Sequence, residues 1–445
     1  MADSDLVPTE VDVLVVGAGL AGHAAALSAA ESGASVCLLE KGSDFGGSSV
    51  KAGGVLVFAG TDLQARAGIV DDNTKLRDEL LKVGKSKNDP EVVDAYLDHQ
   101  LDTYNWLRNR GVEFNLSRSG VTDAVDRNHA SLPGVATRAL HQHVLAHSSV
   151  QYRSNAAVTR LGRLGNGRVG RALVDTGRNV VSIAARRGVI LTSGGFVRNR
   201  ELLETFAPQW TAAFKLGGEH NTGDGLLMAC ALGAGLADMA YIEASFGASI
   251  KHYPDLAERS DEETRLLYPN YKGAIIVNLE GRRFANELLN YKVLSSICVQ
   301  QPHGIAFQMF DQKIMERSGS FPTPSGWRSA LSQGYLRQGD AIDALANAIA
   351  VDPARLRFTV ERYNSGTDLN DDPDFGRPIH DFGSPGGARI DTAPFYAFPC
   401  RPALTTTYCG SGSIGVCESA MFTASLYRGS TPPAKSSGVF MAPHI

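Results

Sequence analysis

No apolar run as long as about 18 residues interrupts this chain, so no membrane-spanning helix is expected. Charge of one sign is also scarce. A net charge of −4 over 445 residues leaves no basic excess for nucleic acid or an anionic membrane. Cysteine is sparse and scattered. Cys37, Cys230, Cys298, Cys400, Cys409 and Cys417 form no C-x-x-C and no zinc-like spacing with histidine. Reduced thiols and a cytoplasmic location are expected. The first residues, M-A-D-S-D-L-V-P-T-E, lack the basic-then-apolar layout of a secretion signal. Internal repeats and long low-complexity runs are missing before residue 410. His141, His143 and His147 do not share one helix face, so no metal site is expected.

What is present is a soluble-protein composition, 43% hydrophobic and 20% charged, long enough for two domains. The chemistry starts at Val11. The run V-D-V-L-V-V reads as a buried strand and ends in Gly17, Gly19 and Gly22, a G-x-G-x-x-G turn. A small-residue helix follows over Ala24–Ser32, then a strand over Ser35–Leu39 that ends in Glu40. This order is the βαβ unit that grips a dinucleotide. Gly17 permits the tight turn, Gly19 lets backbone approach a pyrophosphate, and Gly22 lets helix pack on strand. The helix start offers free N–H groups and a positive dipole end. Glu40 is placed to accept from a ribose diol.

The following loop, Gly46-Gly47-Ser48-Ser49 and then Ala52-Gly53-Gly54, resembles the second flavin contact of the fumarate reductase/succinate dehydrogenase flavoprotein family. The resemblance implies an α/β fold. A Rossmann-like FAD-binding domain would carry an inserted α+β capping domain, and FAD would be held without a covalent bond, since no histidine lies in the loop. It also implies cofactor contacts at Leu20, Ala21, Lys41 and Val158. Ser193-Gly194-Gly195 resembles the family's glycine turn under the flavin. Asn221-Thr222-Gly223-Asp224-Gly225 resembles its G-D-G helix opening, with Asn221 and Asp224 near the cofactor. Asp224 also reads as a plain helix cap.

Helical periods appear over Asp72–Val83, Asp89–Arg110 and Thr137–His147. Short strands are expected over Val150–Asn155, Ala157–Leu164, Val169–Asp175 and Asn179–Arg186, and Arg187–Phe196 reads as a separate buried strand ending in a glycine turn. The expected organisation is a first FAD-domain part over 1–235, a cap over 236–365, a return to the FAD domain over 366–410 and an aberrant tail over 411–445. The cap is expected to carry a strand at Gly273–Asn278 and helices at Asp340–Ile349 and Asp352–Gly366.

Gly281-Arg282-Arg283-Phe284-Ala285-Asn286-Glu287 resembles the family's G-K-R-F-V-N-E. Three departures from fumarate reductases follow. Tyr291 stands where those enzymes carry a proton-delivering arginine. Thr405-Thr406-Thr407-Tyr408-Cys409-Gly410 replaces H-x-T-x-G-G, and Ile242-Glu243-Ala244-Ser245-Phe246 lies where H-P-T binds a carboxylate. These argue against a small dicarboxylate. Glu287–Tyr291 instead resembles 3-ketosteroid dehydrogenases of the same superfamily, which implies Tyr291 as a base beside a carbonyl, provided neighbours lower its pKa. Packing in the domain hinge, with the hydroxyl on a backbone group, explains Tyr291 equally, and Tyr408, beside the expected site, is a second and weaker candidate that core packing also explains.

The resemblance implies an FAD-dependent oxidoreductase acting on a C–C bond next to a carbonyl or carboxylate. Its substrate would be a small molecule, a steroid or another carbonyl-activated compound, and its electron acceptor stays unidentified. The alternative is a catalytically impaired flavoprotein remnant. Beyond residue 410 the resemblance stops, and the Ser/Gly/Pro-rich tail has no strand or helix period. Read one base out of register, Met421 onward decodes as the family's missing G-L-Y-A-A-G-E segment. A frameshift near Gly410 is therefore expected, with a shortened FAD-domain sheet and weak flavin retention.

Overall fold

The computed structural model describes residues 7–117, 125–256, 264–319, 325–379, 389–412 and 439–441. It divides into two compact units. The first joins Met1–Asn199, Gly217–Ala240 and Tyr408–Ile445, and the second joins Arg200–Leu216 and Tyr241–Thr407.

The first unit is built on a seven-stranded sheet. Val150–Arg153, Val36–Leu39, Glu10–Val16 and Val180–Leu191 run parallel in that order. Val169–Asp175 and Ala157–Arg163 continue it as an antiparallel meander. The central strands are apolar on both faces, as a sheet covered on both sides demands. Val13, Val15, Val36 and Leu38 pack with Ala26, Leu27, Leu140 and Val144 of the helices Leu20–Glu31 and Val135–Ala146. Leu14, Val16, Cys37 and Leu39 point the other way and pack with Leu161, Val174, Ile183 and Met228. Asn179–Arg186 and the strand starting at Arg187, expected as separate, form one strand of 12 residues, Val180–Leu191. Its first half pairs with the meander and its second half with the parallel strands.

Asp72 and Asp89 cap the helices Asn73–Val83 and Pro90–Arg108, accepting from the Lys75 and Glu91 amides at 2.9 Å each. Pro90 occupies the first turn, where its missing N–H costs nothing.

The second unit holds a six-stranded sheet centred on Phe395–Thr407. This strand pairs antiparallel with Ile242–Ser249, Ala306–Asp311 and Arg337–Gly339 and parallel with Phe214–Lys215. Ile275–Asn278 pairs with Ala306–Asp311. The boundaries read from sequence therefore shift. Residues up to 407 belong with the cap sheet and not with a return to the FAD domain, because Phe395–Thr407 finds its hydrogen-bond partners there. Arg200–Leu216 joins the cap for the same reason, through Phe214 and Lys215.

The expectation of a sheet left short by the tail is also corrected. Val439–Met441 forms a strand parallel to Val189–Leu191, on the edge that the meander leaves uncovered. The rest of the tail after Gly412 lies outside the described residues, and with it most of the segment read as frameshifted.

Within the second unit one buried ion network fixes the chain that leads to Tyr291. Arg283 grips Glu287 in a fork at 2.7 and 2.8 Å and Asp372 at 2.8 Å. Arg377 reaches Glu287 at 3.2 Å, and the Ile276 amide donates to the same carboxylate at 3.2 Å. Two cations thus balance two anions out of water. Removing one charge strands the others, at a cost of about 3–5 kcal/mol. Glu287→Gln is therefore expected to destabilise the cap by about that much in denaturant titration, a loss that an unchanged midpoint would contradict.

Candidate functional site

The first unit assembles the residues expected to hold a dinucleotide. Gly17 has φ +104°, and a Cβ there would lie 2.6 Å from the Thr192 carbonyl oxygen. A Cβ on Gly22 would lie 1.9 Å from the Gly17 carbonyl oxygen. Both positions admit glycine alone. The helix Leu20–Glu31 opens at Gly19, which has no side chain to cap the first-turn amides that an anion site uses. The Leu20 amide, followed by Ala21 in the first turn, donates to Ser49 Oγ at 3.0 Å. Gly46 N donates to the Ala18 carbonyl at 2.8 Å, which folds the second glycine loop back onto the elbow.

Glu40 closes the neighbouring strand end. Its carboxylate accepts from the Ala18 amide at 3.0 Å and the Gly42 amide at 2.8 Å. A carboxylate has about four lone-pair sites, so capacity for a ribose diol remains. Lys41 Nζ lies 2.6 Å from Asp224 Oδ2 and 2.6 Å from Thr222 Oγ1. Asp224, the first residue of Asp224–Cys230, is thus tied to the strand that ends in Glu40.

Ser48 Oγ accepts from the Gly218 amide at 2.9 Å and from Asn221 Nδ2 at 3.4 Å. Asn221 in turn accepts from the Val197 amide at 3.2 Å. Gly194, at φ +75°, would carry a Cβ 3.1 Å from Asn221 Nδ2, and Gly195 accepts from the Gly223 amide at 2.9 Å. The structure therefore brings Gly46–Ser49, Ser193–Gly195 and Asn221–Asp224 together. Ala52 and Gly53 are exposed, and Gly54 is held by Ser131 at 2.8 Å. The Val158 side chain is buried in the core, so only its backbone could face a ligand.

One observation tests the fit to FAD directly. Ser193 Oγ is buried without a hydrogen-bond partner, in the glycine turn expected beneath the cofactor. A hydroxyl in that state awaits an acceptor or donor from a ligand. The residues present fit the group.

Sequence reading missed His23, the residue directly after Gly22. It is fully buried. Its Nδ1 lies 2.7 Å from the Gly19 carbonyl and its Nε2 lies 2.9 Å from His141 Nδ1. His141 stacks on Phe45 with centroids 3.7 Å apart, so the pair links the elbow to the loop before Gly46. The signal was a lone polar residue on the apolar face of the elbow helix.

The second unit holds the other candidate. Tyr291 is the first residue of Tyr291–Cys298, whose start is capped by Asn290 accepting from the Lys292 amide at 2.9 Å. Its ring lies 5.9 Å from that of Tyr268, which lies 5.8 Å from that of Tyr271. The lowered pKa expected for Tyr291 is not found. Burial pushes the phenol up, Lys292 opposes the shift and Glu243 reinforces it. Burial also raises Tyr268, and it pushes Tyr271 up to about 12. Lys292 Nζ pairs with Glu243 Oε1 at 2.8 Å. Glu243 pairs along the strand with Thr406, and Thr405 Oγ1 donates to the Glu243 carbonyl at 3.0 Å. All three segments that depart from the fumarate reductase pattern therefore meet in one patch. Tyr408 does not join it. Its exposed side chain belongs to the first unit.

The model of the family described as FAD binding domain matches residues 12–411. The chain belongs to that family. FAD is its cofactor, and the match runs through the whole elbow, both glycine loops and the cap, which does not favour a remnant. The chain is 30% identical over 372 residues to a fumarate reductase (cytochrome) of Shewanella frigidimarina, covering 83% of this chain and 62% of that protein. It is 29% identical to a 3-oxosteroid 1-dehydrogenase of Mycobacterium tuberculosis, covering 83% of this chain and 80% of that one. The solved open conformation of a flavocytochrome c3 fumarate reductase matches with TM-score 0.76 and 25% identity, covering 97% of this chain and 72% of that one. The chain spans 42–66% of the length of several curated relatives.

The buried histidine supplies a pH test. Burial lowers His23 from 6.5 to about 4 in the folded chain. Between those values the unfolded chain binds the extra proton, so stability falls as pH drops from about 6.5 to about 4. The loss is on the order of 3 kcal/mol. Urea titrations at stepped pH should show this slope in the native chain and a flatter one in His23→Gln.

Proposed function

We propose that this protein is an FAD-dependent oxidoreductase that reduces, or in reverse desaturates, a C–C bond beside a carbonyl. FAD, when bound, supplies hydride transfer at its N5 position. Tyr291 manages the other hydrogen. In the reducing direction its phenol gives a proton to the carbon α to the carbonyl as a hydride reaches the β carbon. The substrate gains two hydrogens, and Tyr291 becomes a phenolate that solvent reprotonates.

The observation that carries this reading is the state of Tyr291. A phenol raised by burial is fully protonated at neutral pH and holds a proton to give. The adjacent Lys292 ammonium opposes the upward shift of the phenol, while Glu243, which pairs with it, reinforces that shift. Dehydrogenation by the same group needs the phenolate, so it gains rate as pH rises. Arg283, Glu287, Asp372 and Arg377 act as a rigid mount for the turn that ends at Asn290. Glu40, Ser48, Ser49, Ser193 and Asn221 orient the cofactor in the first unit, alongside the glycine backbones.

The substrate class is a small carbonyl-activated compound. Among the described residues no helix is long and apolar enough to cross a membrane. Cys37, Cys230, Cys298 and Cys400 are free thiols. That state suits a reducing cytoplasm.

Tyr291→Phe tests the assignment. Turnover is expected to fall about 10²–10⁴-fold, while bound flavin per chain stays at the native level. Stopped-flow recording of flavin absorbance with substrate would show slow oxidation of the reduced enzyme. Native rates in Tyr291→Phe would remove Tyr291 from the mechanism.

A further inference from the structure

The ion pair beside Tyr291 bears on which substrates the cap accepts. Lys292 follows Tyr291 directly at the helix start, and its ammonium lies 2.8 Å from Glu243. Glu243 is the more buried of the two, with 21% of its side chain exposed against 47% for Lys292. Its backbone is held on both sides of the residue. The strand register sets it against Thr406, and the Thr405 hydroxyl donates to its carbonyl. Ser295 Oγ donates to the next carbonyl, that of Ala244, at 3.0 Å and locks the helix onto the strand. The backbone that carries the carboxylate is therefore fixed, and the carboxylate itself is held by Lys292. The remaining surface is aromatic, made by Tyr268, Tyr271 and Tyr291.

We propose that Glu243 makes the patch around Tyr291 selective for uncharged carbonyl compounds, by occupying the Lys292 ammonium and presenting its own charge to any carboxylate. This rests on the assignment of Tyr291 made above. A carboxylate substrate brought to the patch meets a cation that is already neutralised and an anion that repels it. An amide, ester or ketone meets no such charge, and planar conjugated ones gain contact with the tyrosine rings. Glu243 acts through Lys292 and is a specificity-determining residue. It takes no part in moving the proton.

A matched pair of probes isolates the charge. Cinnamamide and cinnamate share one conjugated skeleton and differ in charge at the carbonyl end. Isothermal titration on the full FAD-loaded chain is expected to show cinnamamide binding about tenfold or more tighter than cinnamate. In Glu243→Gln the freed Lys292 should raise cinnamate affinity about tenfold and leave cinnamamide within about twofold. In Lys292→Met, with Glu243 left alone, cinnamate should bind more weakly still. The two variants thus move the ratio in opposite directions, which a folding defect cannot mimic.

Equal affinity of the native chain for both probes overturns the proposal. So does an unchanged ratio in Glu243→Gln, or failure of the native chain to bind either compound. The Tyr291 assignment fails separately, on the turnover of Tyr291→Phe. A Tyr291→Phe chain that loses turnover but keeps the native binding ratio supports both.

Discussion

The contact between Gly22 and the Gly17 carbonyl is the constraint on which the rest is built. With a Cβ position 1.9 Å from that oxygen, the elbow helix sits as close to the first strand as backbone allows. Any side chain would push the helix away, and its first-turn amides would swing off the end of the sheet. The Leu20 amide would lose Ser49, and the second glycine loop would lose its anchor on Ala18. Steric exclusion at one residue thus sets the position of an anion site, a ribose acceptor and a flavin loop. No hydrogen bond could impose this, because a neutral hydrogen bond contributes only about 1 kcal/mol net.

Local signals in the chain were legible wherever the physics is local. The glycine elbow, the Asp72 and Asp89 caps, the Pro90 start and the strand Val169–Asp175 all follow from neighbours within a few residues. The cap boundary did not, because Phe395–Thr407 takes its partners from Ile242–Ser249 and Ala306–Asp311, far away in the chain. Sequence gives a strand its propensity but not its sheet. The same limit hid Val439–Met441, three residues in a polar tail whose pairing with Val189–Leu191 depends on an edge left open elsewhere. His23 was hidden for another reason. A buried histidine is readable only once a second histidine, His141, is brought to its other nitrogen by a different helix.

The candidate site shows a similar split. The residues proposed to hold FAD were read from glycines and small polar side chains, whose roles follow from what they lack. The residue proposed to handle the proton, Tyr291, was read from its place after Glu287, yet burial moves its pKa opposite to expectation. A tyrosine's pKa depends on how much water its neighbours exclude, and Tyr268, whose ring lies beside that of Tyr291, does not announce this in sequence. Burial outweighed the adjacent Lys292, and Glu243, which pairs with that ammonium, adds its own charge to the upward shift.

That last point connects the three departures from the fumarate reductase pattern into one change. An arginine at 291 would place a guanidinium beside Lys292 and near Glu243. Its loss removes a cation from the patch, and the loss of histidine from both carboxylate-binding segments removes two more groups able to carry positive charge. Glu243, with 21% of its side chain exposed, needs a partner in the patch. Together, with Lys292 as that partner, they leave a patch of balanced charge walled by aromatic rings. Electrostatic neutrality is a property of the set, which explains why residues distant in sequence depart from the pattern at the same physical place.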